Sequence, residues 1–464
     1  MYFVDTLELT GLGNRGYLAG GAHAAVAVDP QRDIDRVIAA AARRGVRIAY
    51  VAETHIHNDY VSGGLELARV CGASYLVPAG AAVSFARTPV ADGDTVVVDE
   101  GEALALRAVA TPGHTPHHTA YVLEERGRAV AAFTGGSLLI GTVGRPDLVE
   151  PRLTERLARA QHASARRLAD GLDDAVALLP THGFGSFCAS GRATAGTATI
   201  GSERTRNDAL TQDVDAFVAA LLAGLDDVPA YYAHMGPANA AGPAPVDLTP
   251  PRVTDAAGIA ARLAAGEWVV DLRGRVAFAA GHVAGSFNFE GDGQLATYLA
   301  WLIPWGKPVT LLAETPGQIA AAQRELARVG IDRPAAAATG DPRAWTGAGE
   351  RLAAFPHGSF TALAAALADA RAHHGKPVVL DVRRAAERAD AFIEGSVHLP
   401  VHELPGRLGD VPPGPAWVHC ASGLRATIAA SLLDAAGRQV VLVDDEFGAA
   451  KAAGLRVVRG GGGR

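Results

Sequence analysis

The sequence predicts an α/β protein built from an N-terminal part of alternating strands and helices and two parallel-sheet domains. Three observations lead there. Apolar strand-like runs alternate with helical stretches through the first half of the chain. An internal repeat occupies the second half. The length of 464 residues suggests two to four domains at roughly 100–200 residues each. The expected division is 1–240, 250–355 and 356–460.

In the first part, "HAAVAVDP" reads as a short buried strand and "DIDRVIAAAARRG" as a helix stopped by glycine. "RIAYVAET" is a second strand, "GLELARVCG" a helix, and "DTVVVDEGEALALRAVATPGHT" two or three strands with turns between them. "RAVAAFTGGSLLIG" and "AVALLPTHG" are further apolar strands. Each strand ends in Gly, His, Ser or Thr, where α/β folds place ligand sites. Residues 235 to 254, "MGPANAAGPAPVDLTPPRVT", lack periodicity and read as a linker or wrapping segment.

Beyond the linker the repeat begins. "WVVDLRGRVAFAAGHVAGSFNF" and "PVVLDVRRAAERADAFIEGSVHLP" align Asp271 with Asp381 and Gly285 with Gly395. After each comes an apolar strand and a helix, as parallel α/β domains require.

Composition narrows the function classes. The chain is 49% hydrophobic and 20% charged, with a formal net charge of -7, so nothing points to nucleic acid or an anionic membrane surface. No apolar run approaches the roughly 20 residues of a membrane span. No secretory leader is expected. Three cysteines, Cys71, Cys188 and Cys420, form no disulfide framework. A reducing cytoplasm is the expected location, with thiols free for chemistry.

The densest chemistry is "VAETHIHNDYVSGG". His55 and His57 are two residues apart after a strand, and extended backbone would point both imidazoles at one ion. Asp59 continues the alternation. Imidazole and carboxylate suit zinc, iron or manganese. "ATPGHTPHH" supplies His114 and "LLPTHGFG" supplies His182 at two other strand ends. His117, His118 and His234 read as ordinary loop histidines. Cys188 follows His182 on a Gly/Ser-rich loop, either as a small buried hydrophobe or as a thiol near the metal. Cys71 reads as core. Arg145 and Asp147 either line the site mouth or form a structural pair.

"THIHNDYVSGG", "TPGHTPHHTAY", "FTGGSLLIGTVGRPDL" and "PTHGFGSFC" resemble, in order and spacing, the metallo-β-lactamase fold, and most closely its persulfide dioxygenase branch. The resemblance implies an αββα sandwich and a mononuclear iron(II), with zinc(II) as the alternative metal. It implies oxidation of a glutathione-type thiol persulfide to sulfite. The family's two ligand histidines fall on His55 and His114. Its ligand aspartate falls on Gly136, which has no side chain, so His57 or Asp59 would have to be recruited. Tyr60 stands where binuclear zinc hydrolases of this fold carry a histidine, which argues against a two-metal site.

In the second repeat, Cys420 lies at a strand-to-helix turn. Its following N–H groups, a helix starting near Ala426 and Arg425 all favour the thiolate. The same turn could cradle an anion such as thiosulfate. This half resembles tandem rhodanese domains, through "LDVR", "FIEGSVHLP" and the four residues between Cys420 and Arg425. Related phosphatases carry one more residue there. The resemblance assigns Cys420 as the persulfide-carrying nucleophile and Arg425 as the anion binder. The first repeat has Ala313 or a neighbour at that place and no cysteine, so it reads as a scaffold or an interdomain spacer.

Together these features lead to a persulfide dioxygenase/sulfurtransferase fusion, with thiol persulfide, sulfite or thiosulfate as small-molecule partners and a homodimer as the family-level expectation. Two alternatives stand beside it. One is a rhodanese-type sulfurtransferase whose metallo-domain is degenerate. The other is a mononuclear-metal thioester hydrolase.

Overall fold

The computed structural model describes residues 1–191, 196–291, 294–373 and 377–459. The chain forms two compact units. One is Met1–Asp247 with Leu326–Gly330, and the other is Leu248–Glu325 with Ile331–Arg464.

The first unit is a four-layer αββα sandwich. One six-stranded sheet runs in chain order from Phe3–Leu9 to Thr88–Val90. Its first two pairings are antiparallel and its last three parallel. The other sheet runs from Thr95–Asp99 to Ala198–Thr199 and is antiparallel except where Arg128–Gly135 pairs with Ala177–Pro180. Strand alternation explains the layering, because successive side chains face opposite sides. Tyr17, Ala19, Val26 and Val28 meet Leu104, Leu106, Tyr121 and Phe133 between the sheets. The intervening Leu18, Ala25 and Ala27 meet Val37 and Leu67 of the outer helices. On the other side, Val109, Ala120 and Val122 pack on Ala158, Ala165 and Phe217.

The helix Asp35–Arg44 starts with an acid, ends in Arg43 and Arg44, and stops at Gly45 with φ 69°, a conformation that glycine adopts without penalty. Of the segment read as a linker or wrapping segment, residues 242–252 carry no helix or strand, but its first residues belong to a helix. Tyr232–Ala241 is helical despite Pro237. Its alanines favour helix, and tertiary bonds hold it: Asn239 donates from Nδ2 to the carbonyls of His57 and Tyr60, both at 2.8 Å. Its Oδ1 accepts from the Ser62 N–H at 2.9 Å. The helix thereby fixes the histidine loop.

The second unit contains two parallel sheets. The four-stranded one has the order Phe287–Asn288, Trp268–Asp271, Val309–Ala313, Ala336–Thr339. The five-stranded one has the order His357–Gly358, Val440–Val443, Ala416–His419, Val378–Asp381, Val397–His398. The repeat is visible in detail. Arg273 pairs with Asp271, and Arg383 with Asp381, through the same two-residue spacing. The helix Leu424–Ala435 is buried from Arg425 to Leu433, an all-round burial that fits its lack of a polar face. Thr427 donates to Asn288 Oδ1 at 2.8 Å, and the Asn288 N–H to Ser431 Oγ at 3.1 Å. The first repeat therefore covers the helix of the second.

Among the described residues, no helix is long and apolar enough to cross a membrane.

Candidate metal centre and sulfur-transfer loop

The strand Arg47–Ala52 ends before the histidines, and residues 53–60 form a loop. The extended alternation expected for His55 and His57 therefore does not hold. The two rings still lie 4.1 Å apart between centroids, but they serve different partners.

His55 is 1% exposed. Thr54 Oγ1 donates to Asp29 Oδ2 at 2.8 Å, so it accepts from His55 Nδ1–H at 2.9 Å. That fixes the tautomer and leaves a lone pair on His55 Nε2. His114 donates Nδ1–H to the Arg145 carbonyl at 2.8 Å, and its Nε2 is buried without a partner. His182 Nδ1 faces Asn14 Oδ1 at 3.1 Å and Asp59 Oδ2 at 3.3 Å. Its Nε2 lies 3.3 Å from His55 Nε2. Ring centroids of His55, His114 and His182 are 4.8–5.3 Å apart. His55 and His182 thus bring Nε2 to Nε2 and His114 packs its ring beside both, while the other nitrogen of each imidazole is held from behind, as the second nitrogen of a metal-binding histidine is. An unpartnered, fully buried Nε2 is costly without an occupant, so the residues present fit a cation. Donor atoms of His55, His57 and His182 lie within 4.8 Å of one another, as do those of His114, His182 and Cys188.

Electrostatics agree with neutral ligands. Burial, then the neighbouring histidines, push His55 far below the ordinary imidazole value. Burial and His182 lower His114 to about 3. His57 behaves oppositely. Burial alone would depress it, but Asp29 and Glu53 raise it. Its Nε2 is 3.3 Å from Asp29 Oδ1, 3.2 Å from Glu53 Oε2 and 3.0 Å from the Tyr60 hydroxyl. Only Nδ1, unpartnered and buried, remains for the pocket. Asp59 is held by Asn14 at 2.9 Å and Ser186 at 3.1 Å through Oδ2. It stands behind His182, and no three-donor group among the described residues includes it.

Gly136 is held by both backbone ends. Its N–H donates to His118 Nε2 at 2.9 Å, and its carbonyl accepts from Gln161 Nε2 at 2.9 Å. His118, expected to be an ordinary loop residue, is a buried positioning group stacked 5.0 Å from His55. Arg145 and Asp147 form a bidentate pair with both bonds at 2.8 Å. Cys71 is only partly buried and Cys188 fully buried. Asp29, Glu53, Thr54 and Asn239 were not singled out from sequence. Asp29 and Asn239 act across the fold, where local spacing carries no signal, whereas Thr54 and Glu53 sit one and four positions from the histidines they hold.

At the other site, Cys420 ends the strand Ala416–His419 and is 1% exposed. The Gly423 N–H donates to Sγ at 3.2 Å. Gly423 has φ 95°, a left-handed conformation suited to glycine. The helix starts at Leu424, two residues earlier than expected. Arg425 donates to Glu387 at 2.5 and 2.8 Å, so its charge is committed to a carboxylate. Burial would raise Glu387, but Arg425 overrides it and holds the carboxyl at about 2. In the first repeat, Asp271 pairs with Leu312 as Asp381 pairs with His419. Ala313 is therefore the register equivalent of Cys420.

Comparison with known proteins agrees with both halves. Residues 19–182 match the metallo-beta-lactamase superfamily and residues 364–453 the rhodanese-like domain. The mitochondrial persulfide dioxygenase ETHE1 of Homo sapiens is 29% identical over 174 residues, 38% of this chain and 61% of that protein's length. A protein named as a probable metallo-hydrolase of Burkholderia pseudomallei is 30% identical over 212 residues, 40% of this chain and 68% of its own. A solved metallo-beta-lactamase structure from Staphylococcus aureus shares the fold, with TM-score 0.65 and 24% identity over 74% of this chain and 99% of that one. The chain belongs to the metallo-beta-lactamase superfamily and carries a rhodanese-like domain in its C-terminal part.

Proposed function

We propose that the chain is a two-site enzyme of sulfane-sulfur chemistry. The N-terminal site oxidises a low-molecular-weight thiol persulfide of glutathione type, and Cys420 moves sulfane sulfur to or from a small acceptor. In the first reaction one persulfide, one dioxygen and one water give one thiol and one sulfite. In the second, the Cys420 thiolate attacks the outer sulfur of thiosulfate. The sulfur–sulfur bond breaks, sulfite leaves with the electron pair, and Cys420 holds a persulfide for an acceptor thiol. A tether raises the local concentration of a shared intermediate to roughly millimolar.

The observation that carries the first half is the buried cluster of His55, His114 and His182, packed ring to ring with one nitrogen of each held from behind. Iron(II), when bound, supplies redox chemistry and the open positions of a mononuclear site. The chain's own residues do the rest. Thr54, the Arg145 carbonyl and Asn14 orient the imidazoles. Tyr60 occupies position 60 with its hydroxyl on His57, which supports one metal rather than two. The enclosing burial excludes bulk water from the pocket.

A second reading is favoured by Gly136: a sulfurtransferase whose metallo-domain only binds. A third is a mononuclear-metal thioester hydrolase, with zinc(II). Metal content together with dioxygen uptake on glutathione persulfide separates them. Iron with rapid uptake supports the proposal. No metal, with thiosulfate-to-cyanide transfer intact and lost in Cys420→Ser, sinks the dioxygenase half. Zinc with thioester cleavage supports the third reading.

A further inference from the structure

We infer that Cys188 is itself a metal ligand, completing with His114 and His182 a nitrogen–sulfur site for a divalent cation of borderline softness. The inference rests on the reading of the N-terminal pocket as a metal site.

The carboxylate expected from the family cannot simply be added back. A Cβ on Gly136 would lie 2.6 Å from Cγ and 2.9 Å from Nε2 of His114, so the imidazole already fills that space. A dication among neutral imidazoles alone would keep its full charge in a buried site, which is costly without an anionic donor. Cys188 is placed to be that donor. Its Sγ and the donor nitrogens of His114 and His182 lie within 4.8 Å of one another, all three buried. Metal–nitrogen bonds of about 2.0–2.1 Å and a metal–sulfur bond of about 2.3 Å bring tetrahedral donors to roughly 3.3–3.7 Å. A closure of about an ångström suffices. His114 Nε2 is fully buried with no partner, so it is aimed at an occupant that protein atoms do not supply.

The backbone holds the pair in register. The Arg145 N–H donates to the Cys188 carbonyl at 2.8 Å, and the Arg145 carbonyl accepts from His114 at 2.8 Å. One residue thus fixes both ligands. Gly183 and Gly185, with φ 112° and 108°, turn the loop back so that Cys188 comes beside His182. The thiol's neighbours include Asp59, Tyr232 and Arg145, a polar setting that a merely space-filling cysteine would not have. Binding exchanges the S–H bond for a metal–sulfur bond and releases one proton to solvent. No electron moves.

The test uses the full-length, metal-free protein titrated with cobalt(II) without oxygen. Wild type should show a thiolate-to-cobalt charge-transfer band in the near ultraviolet. The Cys71→Ser/Cys420→Ser double variant should keep the band, and Cys188→Ser should lose it. Cobalt affinity in Cys188→Ser should fall at least as much as the roughly 10–100-fold that loss of a second-shell partner costs. Circular dichroism of the metal-free variants, with Cys188→Ala beside Cys188→Ser, checks the fold. Cobalt bound without a thiolate band, or a band surviving Cys188→Ser, overturns the inference and leaves the metal-site reading standing. No cobalt bound to wild type overturns both.

Discussion

His114 occupies the side-chain space of position 136. Its imidazole Nε2 would stand 2.9 Å from a Cβ on Gly136. Restoring the family's carboxylate by Gly136→Asp should therefore overpack the pocket. Such insertions cost about 1–3 kcal/mol. Metal affinity should fall, because His114 must leave its bond to the Arg145 carbonyl. Denaturant unfolding and metal titration measure the two effects. A variant that is as stable as wild type and binds metal more tightly would contradict this packing.

Asn239 ties the helix Tyr232–Ala241 to the histidine loop through three bonds. Asn239→Ala leaves two carbonyls and one N–H buried without partners, at a cost of about 1–3 kcal/mol. The loop should loosen and metal affinity should drop, with sulfur transfer at Cys420 unchanged. Unaltered metal affinity would show that the loop holds its shape without this amide.

Glu387 and Arg425 make stability depend on acidity. The folded carboxyl sits at about 2 against an ordinary 4.5, so the unfolded chain binds more protons in between. The pair's contribution is whole above about 4.5 and is lost as pH falls towards 2. The wild-type advantage over Glu387→Gln should shrink through that window. Thermal midpoints measured for both proteins from pH 6 downwards test it, and a constant difference would refute it. Glu387→Gln also releases Arg425 from its carboxylate, so the KM for thiosulfate should fall.

Ala313 holds the position of Cys420, but the turn after it is built differently. Glu314 and Thr315 lead directly into a helix starting at Pro316, whereas Cys420 is followed by three residues before Leu424. The first-repeat turn is shorter, and proline lacks an N–H. Ala313→Cys in a Cys420→Ser background should restore no thiosulfate-to-cyanide transfer. Appreciable transfer would show that the cradle is not required.

If a metal binds only the native state, it raises stability by about 2.7 kcal/mol at a hundredfold excess over its Kd. Chelation should therefore lower the unfolding temperature of the N-terminal unit. No shift on adding or removing metal would count against a native-state site.

The layers were readable because apolar runs with periods of two and about 3.6 are local signals. Ala24–Val28, Asp35–Arg44 and the repeated Asp-x-Arg strand ends fall in this class. The setting of His57 is not local in the same way: Asp29 reaches it across the fold, Glu53 meets it from four positions earlier, and residues 53–60 leave the strand before the alternation can act. The helix Tyr232–Ala241 was hidden by Gly236 and Pro237, and tertiary bonds from Asn239 override their weak propensity. Arg425 was expected to face an anion. Glu387 meets it from another helix, a pairing that no local spacing announces.

The helix Tyr232–Ala241 also decides where the chain can be divided. A proteolytic nick or stop codon ahead of Tyr232 would spare every histidine of the pocket and both sheets around it. It would remove the amide that shapes the histidine loop and the tyrosine beside Cys188. Such a fragment would score as complete by its ligand residues alone, yet it would lack the part that gives them their arrangement.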